Sequence, residues 1–340
     1  MDIGGATDHP TKPKAVEEDD DDDDEGVILA EVVEGSKHGD GSIFRPDEHP
    51  LLHRLYHLHD TRETRLKPMR LSDPTDICHP CWTACKQHIG CDMVQIFSLK
   101  LSKLPARTAA GPIQVYGFMA VRDALDPLRN YLFNRSREDP FLIQDVRSDP
   151  FVYLSGPKRG IYLQGEALVE YDMRIKKGER IQDDDLLLVD GAATITDLMH
   201  NHRALTIRIT GDCGARVDIA RALLQQSVEA TVHVWVTNLG RRHEHARGLG
   251  LSITGFLGRI PQEIKMFRGV IGDLCDAKRF VVAVRLKSVL FLCFKGPALG
   301  GADPMCNFAL RAVAHGCIYR CHELDDSLTV HVKVTWSNLY

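Results

Sequence analysis

Four cysteines, Cys78, Cys81, Cys85 and Cys91, lie close to His79 and His88, and thiolate and imidazole are the groups that hold zinc. Cys78-x-x-Cys81 is half of such a site. Pairing His88 with Cys91 gives Cys-x2-Cys-x6-His-x2-Cys, a spacing of neither fingers nor ribbons, so reduced thiols without a metal are expected. A redox role would need a βαβ pattern around the Cys-x-x-Cys, and none surrounds it. His53 and His57 stand one helical turn apart, but no glutamate follows His53 as a zinc protease's HExxH requires.

The loop after Thr237, NLGRRHEHARGLG, places Arg241, Arg242, His243, His245 and Arg247 between two apolar runs. Guanidinium forks suit carboxylate and phosphate, so these five residues are the candidate anion-binding loop. No aromatic stacking motif accompanies them, which argues against sequence-specific nucleic-acid recognition. Asp123, Asp126, Asp139, Asp145 and Asp149 could in principle gather round Ca²⁺, but their spacing fits turns and caps better. No P-loop, dinucleotide glycine pattern, nucleophile elbow or kinase signature occurs, and no cofactor is expected.

The elements that must position these groups read as strands. Ala167, Val169, Tyr171, Met173 and Ile175 alternate with Glu170, Asp172, Arg174 and Lys176, which predicts a strand with one face on a core and the other in water. FVYL and GIYLQ flank GPKRG as in a hairpin. ALTIRIT and SVEATVHVWVT alternate in the same way, and LTVHVKVTW puts Leu328, Val330, Val332, Val334 and Trp336 on one face near the C-terminus. RVDIARALLQQ, residues 216–226, fits a helix as well as a strand, because Ile219, Ala220, Leu223 and Leu224 share a helical face. Leu51, Leu55 and Leu58 predict a short amphipathic helix before Pro68. Many short strands between turn residues point to an all-β chain, an antiparallel β-sandwich or barrel-like domain of about twelve strands.

Of the 340 residues, 44% are apolar and 26% charged, with no apolar run long enough to span a bilayer, so no membrane role is expected. The acidic, polar start lacks the pattern of a secretory signal, which places the chain in the cytoplasm or nucleus with its ten cysteines reduced and the Asn134-Arg135-Ser136 sequon unused. Glu17 to Glu25 is an unbroken acidic run. The net charge of −5 includes −9 from this run, so the remainder carries +4 and suits an anionic partner. Residues 1–49 are expected as a largely disordered acidic tail, 50–92 as a short helix with a cysteine-containing lead, and 93–340 as the β-rich domain.

The strings VYGFMAVRDALDPLRNYLFNRSREDP, LSGPKRGI, LVEYDMRIKKGE, GDCG at 211–214, VEATVHV, EIKMFRGVIG, RFVVAVRLK and VHVKVTWSNL resemble a large cereal-grass family, that of domain of unknown function 6598. The resemblance covers about residues 93–340 and brings no catalytic residues. In some grass proteins a similar domain is joined to a ribosome-inactivating N-glycosidase domain, which implies an association with defence. The glycosidase's E-A-A-R-like run has no counterpart here, since the nearest string is Asp218-Ile219-Ala220-Arg221, so depurination is not carried over. The reading that results is an intracellular, non-catalytic interaction module with an unknown protein or anionic partner. The acidic run is expected to compete for the basic loop. An enzyme, either a hydrolase or an N-glycosidase relative with a site assembled in space, is the alternative.

Overall fold

The computed structural model describes residues 26–38, 49–65, 88–178, 185–196, 203–237, 249–271, 277–296, 305–325 and 328–339. They form three open sheets and one short helix. The nine-stranded sheet runs β1 (Val27–Leu29), β11 (Leu205–Thr210), β12 (Arg216–Thr237), β19 (Leu328–Ser337) and β18 (Gly316–Asp325). β15 (Lys278–Arg285) and β3 (Cys91–Lys103) also pair with β12, while β7 (Phe151–Val152) and β8 (Ile161–Tyr162) pair with β3. The six-stranded sheet runs β2 (Glu31–Val32), β10 (Leu186–Thr196), β9 (Glu166–Ile175), β4 (Ile113–Arg122) and β5 (Asn130–Arg135), with β6 (Phe141–Ile143) on β4. The four-stranded sheet runs β14 (Ile260–Ile271), β13 (Leu249–Leu257), β16 (Val289–Lys295) and β17 (Met305–Arg311). All pairings of these strands are antiparallel except β1 with β11. Nineteen strand segments are present among the described residues, five of them only two or three residues long.

β12 holds the molecule together. Its 22 residues line two hydrophobic cores. Val217, Ile219 and Leu223 join the core shared with the six-stranded sheet, whereas Ala220, Ala222 and Leu224, followed by Val228 to Val236, join the core shared with the four-stranded sheet. A strand buried on both faces has apolar residues at successive positions, which is why 216–226 also fitted a helical period. The ambiguity resolves to strand. β3 is split in the same manner, with Val94, Ile96, Leu99 and Leu101 on one core and Met93 and Phe97 on the other.

Three local expectations are corrected. FVYL and GIYLQ do not form a hairpin: β7 and β8 lie at separate positions along β3, opposite Leu99–Lys100 and Met93–Val94. The GPKRG segment between them passes so close to β5 that a Cβ on Gly156 would sit 1.9 Å from the Tyr131 carbonyl oxygen. The helix α1 (Pro50–Tyr56) forms, but Leu51 and Leu55 are exposed, and Tyr56, with Leu58 just beyond the helix, provides the buried contacts. The polar face of β9 is not wet throughout either, because Glu170 is fully buried. The reason is tertiary: Tyr56, Leu58 and the partly buried Val33 and Leu52 pack on Leu168 and Ala192 and cover that face.

Val33, Ser36 and His38 fall within the stretch expected as a tail, yet residues 26–38 form a strap on the body. β1 pairs with β11 and β2 with β10, and Ser36 Oγ accepts from the Ala192 amide at 2.8 Å. His38 Nδ1 lies 2.7 Å from Asp190 Oδ1.

Candidate anion-binding cleft

Two of the polar clusters among the described residues contrast, one sealed and one open. In the sealed cluster, Glu170 pairs through Oε1 with Arg122 Nε and through Oε2 with Arg129 Nε at 2.6 Å, and His38 Nε2 stands 4.0 Å from Oε2. Arg122 also donates to the Pro127 carbonyl at 2.6 Å, and the Arg129 guanidinium lies 4.5 Å from the Phe118 ring centroid. Burial pushes the Glu170 carboxyl up, but His38, Arg122 and Arg129 pull it further down, so it stays ionised. Burial lowers His38, and the bond to Asp190 together with the nearby Glu170 carboxylate outweighs this, so the net shift is upward. This cluster welds the strap to the six-stranded sheet. A carboxylate with no exposed surface and with both oxygens held by cations has no path to a substrate.

The open cluster is a cleft of about 400 Å³ where two chain reversals meet a bend in β12. β12 bends at Gln226, between the register shift after Leu224 and Ser227. The Gly258-Arg259 turn joins β13 to β14, and the Leu286–Ser288 turn joins β15 to β16. Backbone bonds lock them, with the Leu286 amide donating to the Gln226 carbonyl at 2.9 Å and the Gly258 amide to the Val289 carbonyl at 2.9 Å. Leu224, Leu257 and Ile260 form an apolar floor, and Arg259, Arg285 and Lys287 rise exposed at the rim. Neither Arg259 nor Arg285 has an acidic partner among the described residues.

The backbone here is unusual. Four non-glycine residues among those described adopt positive φ, and three of them, Gln226 (49°), Arg259 (75°) and Lys287 (68°), line this one cleft. In that region glycine is the residue without steric cost, and such costs gather where a ligand is clamped. Two of the three rim cations therefore sit at positions that local conformation alone would give to glycine.

Arg241, Arg242, His243, His245 and Arg247 lie outside the described residues, as do Cys78, Cys81, Cys85 and His79. Cys91 is buried on β3 with its thiol pushed up to about 12 by burial, and His88 packs on His315 with ring centroids 4.3 Å apart. His57 and His59 stack at 6.1 Å beyond α1. The loop aspartates serve turns and ion pairs: Asp123 accepts from Arg159 at 2.8 Å and from the Tyr162 amide at 2.9 Å, Asp139 pairs with Arg135 at 2.6 Å, Asp145 accepts from the Arg147 amide at 2.9 Å, and Asp149 pairs with Arg268 at 2.5 Å. Asp218-Ile219-Ala220-Arg221 lies on β12, where Asp218 pairs with Arg208 at 2.8 Å. Sequence reasoning missed Arg259, Arg285 and Lys287 because they come from two turns far apart in the chain, Arg259 from one and Arg285 with Lys287 from the other. The only local signal was Gly258-Arg259 between two apolar runs.

Fold and cleft together define an all-β protein of open, mainly antiparallel sheets with a basic cleft between turns. Residues 93–334 match the model of domain of unknown function 6598 (DUF6598), and the chain belongs to that family. No curated protein matches. Among solved structures, human GIVD cytosolic phospholipase A2 is 10% identical over 73% of this chain and 33% of its own, with a TM-score of 0.22. The chain thus spans about a third of that enzyme's length. A calcium-bound two-domain fragment of Extended-Synaptotagmin 2 is 12% identical over 73% of this chain and 96% of its own, with a TM-score of 0.23. At these scores neither likeness bears on fold or function. No helix among the described residues is long and apolar enough to cross a membrane.

Proposed function

We propose that the chain is a non-catalytic binding module that takes an acidic stretch of a partner protein into the cleft rimmed by Arg259, Arg285 and Lys287. The observation that carries this reading is the convergence of three strained non-glycine residues, two of them cations, on one apolar-floored cleft. Carboxylates would meet the rim, and the apolar floor would accept the intervening aliphatic groups. The body's charge of +4 outside the acidic run supports attraction of an acidic partner at a distance. The sealing of Glu170 with Arg122 and Arg129 supports binding over catalysis. Resemblance to grass proteins that carry an N-glycosidase domain supports a place in defence, inside the cytoplasm or nucleus.

The test is a fluorescence-anisotropy titration with a labelled decaglutamate peptide at low salt. Replacing Arg259 and Arg285 by alanine together is expected to weaken binding about tenfold, since exposed ion pairs contribute about 0.2–1 kcal/mol each. Equal binding by native and doubly substituted chains would sink the reading.

A further inference from the structure

We infer that the chain's own acidic run, Glu17 to Glu25, is the resident occupant of the basic cleft and competes there with the outside partner. This deepens the reading above and rests on it. Direction carries the inference. Val27 pairs in parallel with Thr206, and β11 is antiparallel to β12, with Thr206 opposite Ala220 and Leu205 opposite Arg221. Going back along β1 from Leu29 to Val27 therefore means going up β12, from the level of Asp218 to that of Ala220, in the direction of Gln226 and the cleft.

On one flank of β12, no strand lies between β11 and β15 among the described residues. Ser227 pairs with both Cys91 of β3 and Arg285 of β15, so those strands lie on opposite sides of β12. Arg221 pairs with both Leu205 of β11 and Ile96 of β3, so β11 lies opposite β3 as well. β11 and β15 consequently share one flank, where residues 222–225 have no strand partner among the described residues and the Gln226 carbonyl accepts from the Leu286 amide just beyond β15. Leu224 and Gln226, at the upper end of this stretch, line the cleft. Arg221, 5% exposed and with no hydrogen-bond partner for Nε, stands at the lower end of the same stretch.

The reach agrees. From the level of Ala220 to Gln226 is six residues, or about 20 Å of strand, and two strand spacings add about 10 Å sideways. That combination, roughly 22 Å, is within the span of about seven extended residues, the length of chain between Val27 and the middle of the run. The basic loop after Thr237 begins seventeen residues up β12 from the same level, about 56 Å along the strand. The cleft is thus the nearer basic target by more than a factor of two. A tethered run at this distance acts at an effective concentration near millimolar, enough to oppose a weak partner in solution.

The test uses the full chain with all nine acidic residues from Glu17 to Glu25 changed to their amides, titrated with the same decaglutamate peptide at low salt. The neutralised chain is expected to bind at least threefold more tightly than the native one, with the gain fading as salt approaches physiological strength. R259A/R285A in the neutralised background should remove the gain. R107A/R320A, which changes two exposed arginines away from the cleft, should leave it in place. Equal binding by native and neutralised chains would overturn the intramolecular occupant while leaving the cleft's function intact. Equal loss from both arginine pairs would overturn it too, by showing a bulk-charge effect. No binding by the neutralised chain would overturn the proposed function itself.

Discussion

Arg259 offers a separation of stability from binding at a single residue. With φ at 75° it bears a steric cost that glycine lacks, so Arg259→Gly is expected to stabilise the fold by up to about 1 kcal/mol while weakening decaglutamate binding. Denaturant unfolding and anisotropy on one preparation check both halves, and a loss of stability without a loss of binding would contradict the role assigned to the side chain. Glu170 behaves in the opposite way. Removing its charge leaves Arg122 and Arg129 buried without their anion, so Glu170→Gln should cost about 3–5 kcal/mol of stability, read as a lowered unfolding midpoint. His38 adds a pH dependence whose sign is fixed by its upward shift. A raised folded pKa means that its contribution is complete below the unfolded value of 6.5 and is lost as pH rises through the folded value. The stability gap between the native chain and His38→Gln should therefore shrink as pH climbs above neutral, and a gap that widens would refute the ion-pair account.

Among the elements, β19 is a strand whose loss can be tested by simple truncation. It lies between β12 and β18, and Val330, Val332, Val334 and Trp336 are all at 0% exposure. Burial of such side chains contributes roughly 1.5–3 kcal/mol each, so the four approach the ~5–15 kcal/mol net stability of a whole domain. A chain ending at Leu324 should not fold, and a soluble product with an unchanged thermal transition would show β19 to be dispensable. The strap illustrates the same rule in reverse. β1 and β2 are too short to hold by their own ladders, and the bonds of Ser36 to Ala192 and of His38 to Asp190 supply what is missing.

For the molecule as a whole, the decisive fact is that β12 and β3 serve both cores. Neither core can lose its packing without disturbing strands that the other needs. Leu99→Ala, in the core of the six-stranded sheet, and Leu292→Ala, in that of the four-stranded sheet, should each lower one common unfolding transition by about 2–5 kcal/mol. Two separate calorimetric transitions, each moved by only one of the substitutions, would show that the cores unfold independently. The same sharing creates the cleft. β12 must bend to pass from one core to the other, and the bend at Gln226 falls between the stretches that pair with β11 and with β15.

The sequence by itself determined the all-β class, the alternating faces of Val228 to Val236 and of the C-terminal strand, and the family, because period-two patterning is local and follows from the pleat. It could not show that Glu170 is buried, since β9 reads as half-wet until the strap and Leu58 arrive to cover it. Nor could it separate helix from strand at 216–226, where burial on two faces erases the alternation. GPKRG looked like a hairpin turn because Gly and Pro mark a reversal without naming the strands on either side. The basic cleft was least legible of all. Arg259, Arg285 and Lys287 come from two turns, and only the antiparallel pairing of β12 with β15 and of β13 with β14 and β16 brings those turns to the bend at Gln226. Local periodicity specifies which face of a strand is apolar, but which turns become neighbours is set by long-range pairing that only the tertiary structure decides.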